Sequence, residues 1–359
     1  MRRLNTYLVA STLKVLLIGE LAGIIIFSMI DFFEHLDVFT LSPAKLLLGL
    51  AYLALRIPYY FNLILPLSLL ISILVQIIVM IRGNEIIVVR TAGVSTFSLM
   101  KPLITFSLAL VVLSFSLSEW VIPLTSSLGE YLYRVRIKQE QTYIEFKNDK
   151  IWLKRGNTIS SIDLFDFRTD EIRGLTIFEL ADNYSIKRRF DAKQGVWKEG
   201  TWVFSDVVER KFKNDVIESK TVHQTVPGLI SEPPSAFKIV DKNPEEMSYK
   251  ELERYIDKLR RNGHDVKRYM VDLYDKISFP FVNVIMVLAA FSVGLRYAKA
   301  KNVSKGIFFG ICLGMLYWFI HSIALSFGYS ERFPPLFAAW FSNMLFFAFG
   351  VIGIVTVRT

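Results

Sequence analysis

The sequence predicts an α-helical integral membrane protein with six transmembrane helices and an all-β domain inserted between the third and the fourth. Three strongly apolar stretches stand on each side of a polar insert covering residues 124–271. The composition agrees, since 52% hydrophobic residues and a positive mean hydropathy exceed what a soluble globule of 359 residues carries. Within the insert the residues change habit and alternate apolar with polar, as half-buried strands do.

Crossing a hydrocarbon core of about 30 Å takes roughly 20 apolar residues per helix. Six runs supply them, at 9–30, 59–81, 103–121, 277–295, 306–327 and 335–357. Low polarity extends from Leu46 to Met80, broken mainly by Arg56 and Pro58. That stretch is too short for two spans and a turn, so it reads as a lead-in helix ending near Arg56 and one span kinked at Pro66. Lys14 and Glu20 interrupt the first run, and no small-x-small cleavage site follows it, so the first helix is expected to stay in place.

With six spans both termini lie on one side, and the loops sort by charge. One side collects Arg2, Arg3, Arg82, Arg90, Lys101, Arg296, Lys299, Lys301, Lys305 and Arg358. The other short loops carry Asp31, Glu34 and Asp37, and a turn near Glu331. The positive-inside rule makes the first side cytoplasmic and turns the insert outward. The insert holds 27 Lys+Arg against 24 Asp+Glu, so only +3 of the net +9 belongs to it. The basic balance therefore reports topology and contact with anionic lipid, with no call for nucleic acid.

Strand character runs over 143–228. Gly195-Val196-Trp197, Lys198-Glu199-Gly200 and Thr201-Trp202-Val203-Phe204 read as a hairpin, and Pro227-Gly228 and Pro233-Pro234 end the strand region. A helix follows at 248–262, started by the capping box Ser248-x-x-Glu251, stopped by Gly263, and striped with Leu252, Tyr255, Ile256 and Leu259. The three domains are thus 1–123, 124–271 and 272–359. Cys312 is the only cysteine and lies in the fifth span, so the insert forms no disulfide within the chain.

Catalytic signatures are absent. There is no phosphate-binding G-x-x-x-x-G-K-[ST] loop, no G-x-S-x-G elbow and no H-E-x-x-H helix. The histidines His35, His223, His264 and His321 are far apart and fall on different elements, which argues against a metal site. His321 reads as a hydrogen-bonded interior group. The chain is read as a transporter subunit without its own ATPase site and without a cofactor; any ATP would be hydrolysed by another chain.

The segment between the second and third spans is more specific: Arg82-Gly83-Asn84-Glu85-Ile86-Ile87-Val88-Val89-Arg90-Thr91-Ala92-Gly93-Val94-Ser95. Glu85 and Arg90 flank an apolar core long enough for one or two helical turns on the membrane face, stopped at Gly93. Such a helix suits a partner's groove, and it equally suits a plain amphipathic connector. This loop resembles the coupling helix of the lipopolysaccharide export permeases, the LptF/LptG (YjgP/YjgQ) family. Ile64-Leu65-Pro66-Leu67, Glu119-Trp120-Val121-Ile122-Pro123 and the insert before the fourth span match that family in order, and Tyr249 to Tyr269 looks closer to its LptG side.

The resemblance implies a permease that pairs with a second, LptF-like subunit on a cytoplasmic LptB-like ATPase dimer. It implies a jellyroll-like periplasmic insert leading to LptC/LptA-like bridge proteins, with lipopolysaccharide entering from the outer leaflet of the inner membrane. It makes Asn84, Glu85, Val88, Arg90, Ala92 and Gly93 the ATPase-coupling residues, Glu85 pairing with a basic partner residue. Candidates for lipid are Arg134, Arg136 and Lys138 at the exit of the third span, where guanidinium suits lipid phosphate and plain interfacial snorkelling is the alternative, and Phe27, Phe61, Phe308 and Tyr317 for acyl chains, with lipid-facing or packing roles as the default for such rings. Relatives carry lysines at the outer end of the first helix where this chain has Asp31, Glu34 and Asp37; a divalent cation bridging carboxylate to phosphate is one replacement. Glu20, alone in mid-span, is expected to face a polar partner or a wetted cavity, because Lys14 lies nearly opposite it on the helix. A protonated acid bonded to a backbone carbonyl is the alternative. Rival functions are a permease for another lipid or lipoprotein, and an integral lipid-modifying enzyme.

Overall fold

The computed structural model describes residues 2–138, 143–147, 150–166, 169–181, 185–198, 200–213, 216–234, 237, 244, 247–261, 265–297 and 303–356. Gly263, His264, Lys299, Lys301, Arg358 and the side chain of Arg90 lie outside the described residues. Two compact units are present, one formed by Met1–Glu130 with Pro244–Thr359 and the other by Tyr131–Asn243.

The first unit is helical: α1 (Arg2–Glu34), the short α2 (Leu36–Phe39), α3 (Pro43–Arg82), α4 (Glu85–Thr91), α5 (Thr96–Ser116), a π-helical turn (Leu117–Val121), α6 (Ile122–Tyr131), α7 (Tyr249–Arg261), α8 (Lys267–Tyr297), α9 (Val303–Tyr329) and α10 (Pro335–Thr356). Among the described residues, six helices are long and apolar enough to cross a membrane. α3 and α8 are mostly buried and form the centre, whereas α1 is the least buried. Leu65, Leu69, Leu70, Ile73 and Leu74 of α3 meet Val282, Met286, Ala289 and Ala290 of α8 in one apolar core. Small residues bring helices close: a Cβ at Gly350 of α10 would sit 2.8 Å from the Leu288 Cβ and 3.2 Å from its carbonyl carbon. The expected turn near Glu331 joins α9 to α10, with Glu331 at φ 60°.

The second span differs from expectation. In place of a lead-in helix ending near Arg56, α3 runs unbroken for 40 residues through Arg56, Pro58 and Pro66. Ser42 caps its start by accepting from Lys45 N at 3.2 Å, with Pro43 in the first turn. Arg56 does not force a break because it is half-buried and paired with Asp31 of α1, its Nε 3.5 Å from Oδ2. Each proline removes one backbone donor, a loss that neighbouring helices let a membrane helix tolerate.

α7 starts on the expected capping box: Ser248 N donates to Glu251 Oε2 at 3.0 Å, and Glu251 N donates to Ser248 Oγ at 3.1 Å. Its stripe of Leu252, Tyr255, Ile256 and Leu259 is buried. The Tyr249 amide donates to Glu119 Oε2 at 2.7 Å, tying α7 to the π-helical turn. α7 accordingly groups with the helices, so the compact β unit is narrower than the inserted segment 124–271.

The second unit is one antiparallel sheet in the order β1 (Tyr143–Lys147), β2 (Lys150–Arg155), β3 (Thr158–Asp166), β4 (Glu171–Leu180), β5 (Ile186–Lys198), β6 (Thr201–Lys213) and β7 (Val216–Pro227). Every strand pairs with its chain neighbour, which settles the strand order the sequence left open. The expected hairpin closes with Lys198 opposite Thr201, and Gly200 at φ 82° takes the left-handed turn position. Alternation puts one face on a core of Ile162, Phe165, Ile172, Leu175, Ile177, Trp202, Phe204 and Val207. Beyond Pro227 the chain returns over that core: Trp202 Nε1 donates to Glu232 O at 2.7 Å, and Ile230 and Phe237 pack beneath. β7 is a largely exposed edge, Val216 and Val222 included.

Candidate functional site

α4 is bounded by two left-handed residues. Asn84 stands at φ 56°, and its carbonyl accepts from Ile87 N and Val88 N at 3.1 and 3.2 Å to start α4. Gly93 at φ 80° ends it, with Val94 N bonded to Val89 O at 3.2 Å, the wide closing bond of a glycine-terminated helix. The helix is amphipathic in an unusual sense. Ile86 is buried and Val89 packs on the apolar core, while Ile87 and Val88 are 60% and 65% exposed. Ala92 and Gly93 are also exposed. The expected coupling residues therefore stand on one short segment, presenting an uncovered apolar pair beside a carboxylate.

That carboxylate is already oriented. Tyr7, in the second turn of α1, donates its hydroxyl to Glu85 at 3.2 Å from Oε2 and 3.4 Å from Oε1. Nothing in sequence spacing pointed to Tyr7, which lies 78 residues away.

α1 and α3 run side by side from this point. Gly19 packs on Ser68 and Gly23 on Ile64, and between them Glu20 is 2% exposed and faces α3. Lys14 is exposed, on another face of α1. At the far end Asp31 is buried: Tyr60 donates to its Oδ2, Arg56 stands beside the same oxygen, and His35 Nδ1 lies 3.0 Å from Oδ1. Asp31, Glu34 and His35 offer ligand atoms within 4.8 Å of one another. Both Asp31 oxygens are engaged by protein groups, whereas Glu34 and Asp37 are exposed.

The lipid candidates fall in different surroundings. Phe308 is exposed, Phe27 is partly exposed with its ring 5.8 Å from that of Tyr60, and Phe61 packs against the core. Tyr317 is fully buried and donates to Asn343 Oδ1 at 2.8 Å, so it is a core residue and not a cavity wall. Arg134 ends the third candidate span; Arg136 and Lys138 are exposed, with the Lys138 ammonium 4.8 Å from the Tyr133 ring.

Among α8, α9 and α10 lies a polar circuit of which the sequence reading singles out only His321 and Tyr317. His321 Nε2 is 3.3 Å from Asp275 Oδ1 and its Nδ1 is 2.9 Å from Ser342 Oγ. Ser342 Oγ reaches the Tyr317 hydroxyl at 3.5 Å, Tyr317 bonds Asn343, Asn343 Nδ2 donates to Ser278 O at 2.8 Å, and Ser278 Oγ donates to Asp275 Oδ1 at 2.9 Å. The circuit closes on itself, and His321 is the interior hydrogen-bonded group expected. Beside it opens a cavity of about 250 Å³ with Tyr59, Asn62, Asp275, Lys276, Trp318 and His321 in its walls. The only sequence signal was the presence of polar residues inside apolar runs.

The chain matches the family described as lipopolysaccharide export system permease LptF/LptG over residues 6–356. It is 22% identical over 303 residues to the lipopolysaccharide export system permease protein LptG of Escherichia coli strain K12, covering 82% of each chain. It is 24% identical over 296 residues to the LptG protein of Haemophilus influenzae, covering 81% of each. An uncharacterised protein of Rickettsia prowazekii is 23% identical over 341 residues, covering 83% of this chain and 87% of its own. Six membrane-length helices, an inserted antiparallel sheet and a match over nearly the whole length agree: the chain belongs to the LptF/LptG family of lipopolysaccharide export permeases.

Proposed function

We propose that this chain is the transmembrane permease subunit of an ABC-type exporter that extracts lipopolysaccharide from the outer leaflet of the inner membrane and passes it to a periplasmic bridge. The work comes from ATP hydrolysed by an LptB-like dimer in the cytoplasm, and the second half of the membrane pathway is an LptF-like subunit. The observation that carries this reading is α4, where Ile87 and Val88 lie uncovered beside a Glu85 carboxylate held by Tyr7. An apolar pair with a fixed charge at its edge is what a groove on a soluble partner recognises. Ala92 and Gly93 follow it without bulk, which favours close approach of the partner.

The charge pattern supports a cytoplasmic side for α4 and both termini and a periplasmic side for the sheet. β7 supports the hand-over to LptC/LptA-like proteins, since an unpaired edge accepts a further strand. Arg134, Arg136 and Lys138 are assigned to the lipid phosphates. Co-expression with the ATPase and the second permease, followed by lipid analysis of the purified assembly and ATP-dependent release of lipopolysaccharide from proteoliposomes, tests the whole reading. Purification without any ATPase, or release independent of ATP, would overturn it. A different lipid co-purifying and moving instead would keep the coupling and change the cargo.

A further inference from the structure

The interface of α1 with α3 contains more polar chemistry than a dry helix contact satisfies. Leu8, Thr12, Leu16 and Glu20 form the buried stripe of α1, and Ser68, Ser72 and Gln76 lie at the same four-residue spacing on the buried side of α3. The two helices meet at Gly19 with Ser68 and at Gly23 with Ile64. Four buried side-chain atoms on this seam make no hydrogen bond of ordinary geometry among the described residues, Thr12 Oγ1, Glu20 Oε1, Glu20 Oε2 and Gln76 Nε2, although the Ser68 hydroxyl lies near the Glu20 carboxyl and the Tyr7 hydroxyl near the Gln76 amide. Buried polar atoms of that kind normally find a partner, and each one left over needs an explanation.

The explanation has to serve both kinds of group. Thr12 and Glu20 are eight residues apart, as are Ser68 and Gln76, so each pair is separated by about 12 Å along its helix. Since Glu20 sits at the level of Ser68, no change of rotamer joins its carboxyl group to the Gln76 amide. A cation would suit the Glu20 oxygens and repel the amide hydrogens of Gln76; an anion would do the reverse. Water both donates and accepts, and a buried water typically makes about three hydrogen bonds. Ser72 Oγ donates to Ser68 O at 2.6 Å, which leaves its lone pairs as further acceptors.

We propose that the α1–α3 interface from Gln76 to Glu20 is an internal hydration site, open at the Glu85 end and shut at Gly23, in which water bridges Thr12, Glu20, Ser68, Ser72 and Gln76. The open end is set by Tyr7, 43% exposed where it meets Glu85. The shut end is set by Gly23, where a Cβ would already lie 2.8 Å from Ile64 Cγ2, and by the Phe27–Tyr60 ring pair beyond it. The consequence is mechanical. Helices bridged by water shift along one another by exchanging partners, so α1 can follow α4 through the Tyr7–Glu85 bond without breaking direct side-chain bonds in the seam.

The test uses the purified full-length chain in its complex in nanodiscs, with Cys312→Ser and one added cysteine. The thiolate attacks the maleimide double bond, and that thiolate forms only where water reaches. Ser72→Cys and Ser68→Cys should react at least about tenfold faster than Leu69→Cys in the apolar core and Leu21→Cys on the exposed apolar face of α1. Seam cysteines as slow as Leu21→Cys would overturn the proposal. Radiolytic hydroxyl labelling of the unmodified complex reads the same property without substitution: Leu16 should oxidise well above Leu69 in the core, and equal protection of the two would overturn it as well.

Discussion

The Tyr7–Glu85 bond allows the contribution of Glu85 inside the chain to be separated from its contribution to a partner. The two oxygen–oxygen distances, 3.2 and 3.4 Å, are longer than an ordinary hydroxyl bond, and Tyr7 is well exposed. Such a bond belongs at the low end of the usual range, about 0.5–1 kcal/mol. A carboxylate in the first turn of a helix adds about 0.3–1 kcal/mol through the helix dipole. Tyr7→Phe should therefore weaken ATPase binding by no more than about fivefold, the equivalent of about 1 kcal/mol. Glu85→Ala, if the carboxylate is buried against a basic residue of the ATPase, should cost roughly 2–5 kcal/mol, or about 30-fold to a few thousandfold. Titration of the labelled ATPase against the permease pair in nanodiscs, with the wild type, both single variants and the double variant, reads each term. If Glu85→Ala and Tyr7→Phe weaken binding alike, within about fivefold, Glu85 acts only inside its own chain and the coupling assignment is wrong.

Three further outcomes are expected. In a Cys312→Ser background, a cysteine at Asn157 should label with an impermeant thiol reagent in cells with a permeabilised outer membrane, and one at Ala92 should not; the opposite pattern would invert the orientation. Gly350→Ala places a Cβ against the backbone of α8, so it should lower the stability of the helical unit by about 1–3 kcal/mol in a denaturation series, and an unchanged midpoint would show that α8 and α10 part easily. Ser248→Ala removes the cap of α7 and should cost about 1 kcal/mol, read as faster amide exchange over Tyr249–Arg261; unchanged exchange would mean that the Glu119 bond alone holds the helix start.

What the sequence made legible was local. A span shows as a run of apolar residues, a strand as alternation, and the start of α7 as Ser248 with Glu251 three residues on, because each signal is contained within one or two turns of chain. The break near Arg56 misread the same kind of signal: an arginine and a proline in an apolar run suggest an end, but Asp31 on another helix absorbs the charge. Contacts of that sort are invisible in sequence. Tyr7 meets Glu85 across 78 residues and Asn343 meets Ser278 across 65, and only packing brings them together. Strand order was out of reach for the same reason, although each turn, such as that at Gly200, was marked by its own residues. For Tyr317 the packing role, favoured over an acyl-chain cavity, is the one observed, and the partner that decides, Asn343, lies on the next helix.

The polar circuit among α8, α9 and α10 bears on the rival reading of a lipid-modifying enzyme, because Asp275, His321 and Ser342 stand in the order of a hydrolytic triad. Their surroundings argue against that chemistry. Ser342 is fully buried and is absent from the wall of the neighbouring cavity, so a substrate carbonyl in that cavity does not reach its hydroxyl. A working nucleophile needs an open approach and donors aimed at the oxyanion that forms there. Here the surrounding donors are spent: Tyr317 bonds Asn343, Asn343 bonds a main-chain carbonyl, and Ser278 bonds Asp275. Polar side chains in a membrane bundle hold helices together where apolar packing alone gives little preference. This circuit crosses all three C-terminal spans, so it ties α8, α9 and α10 to one another.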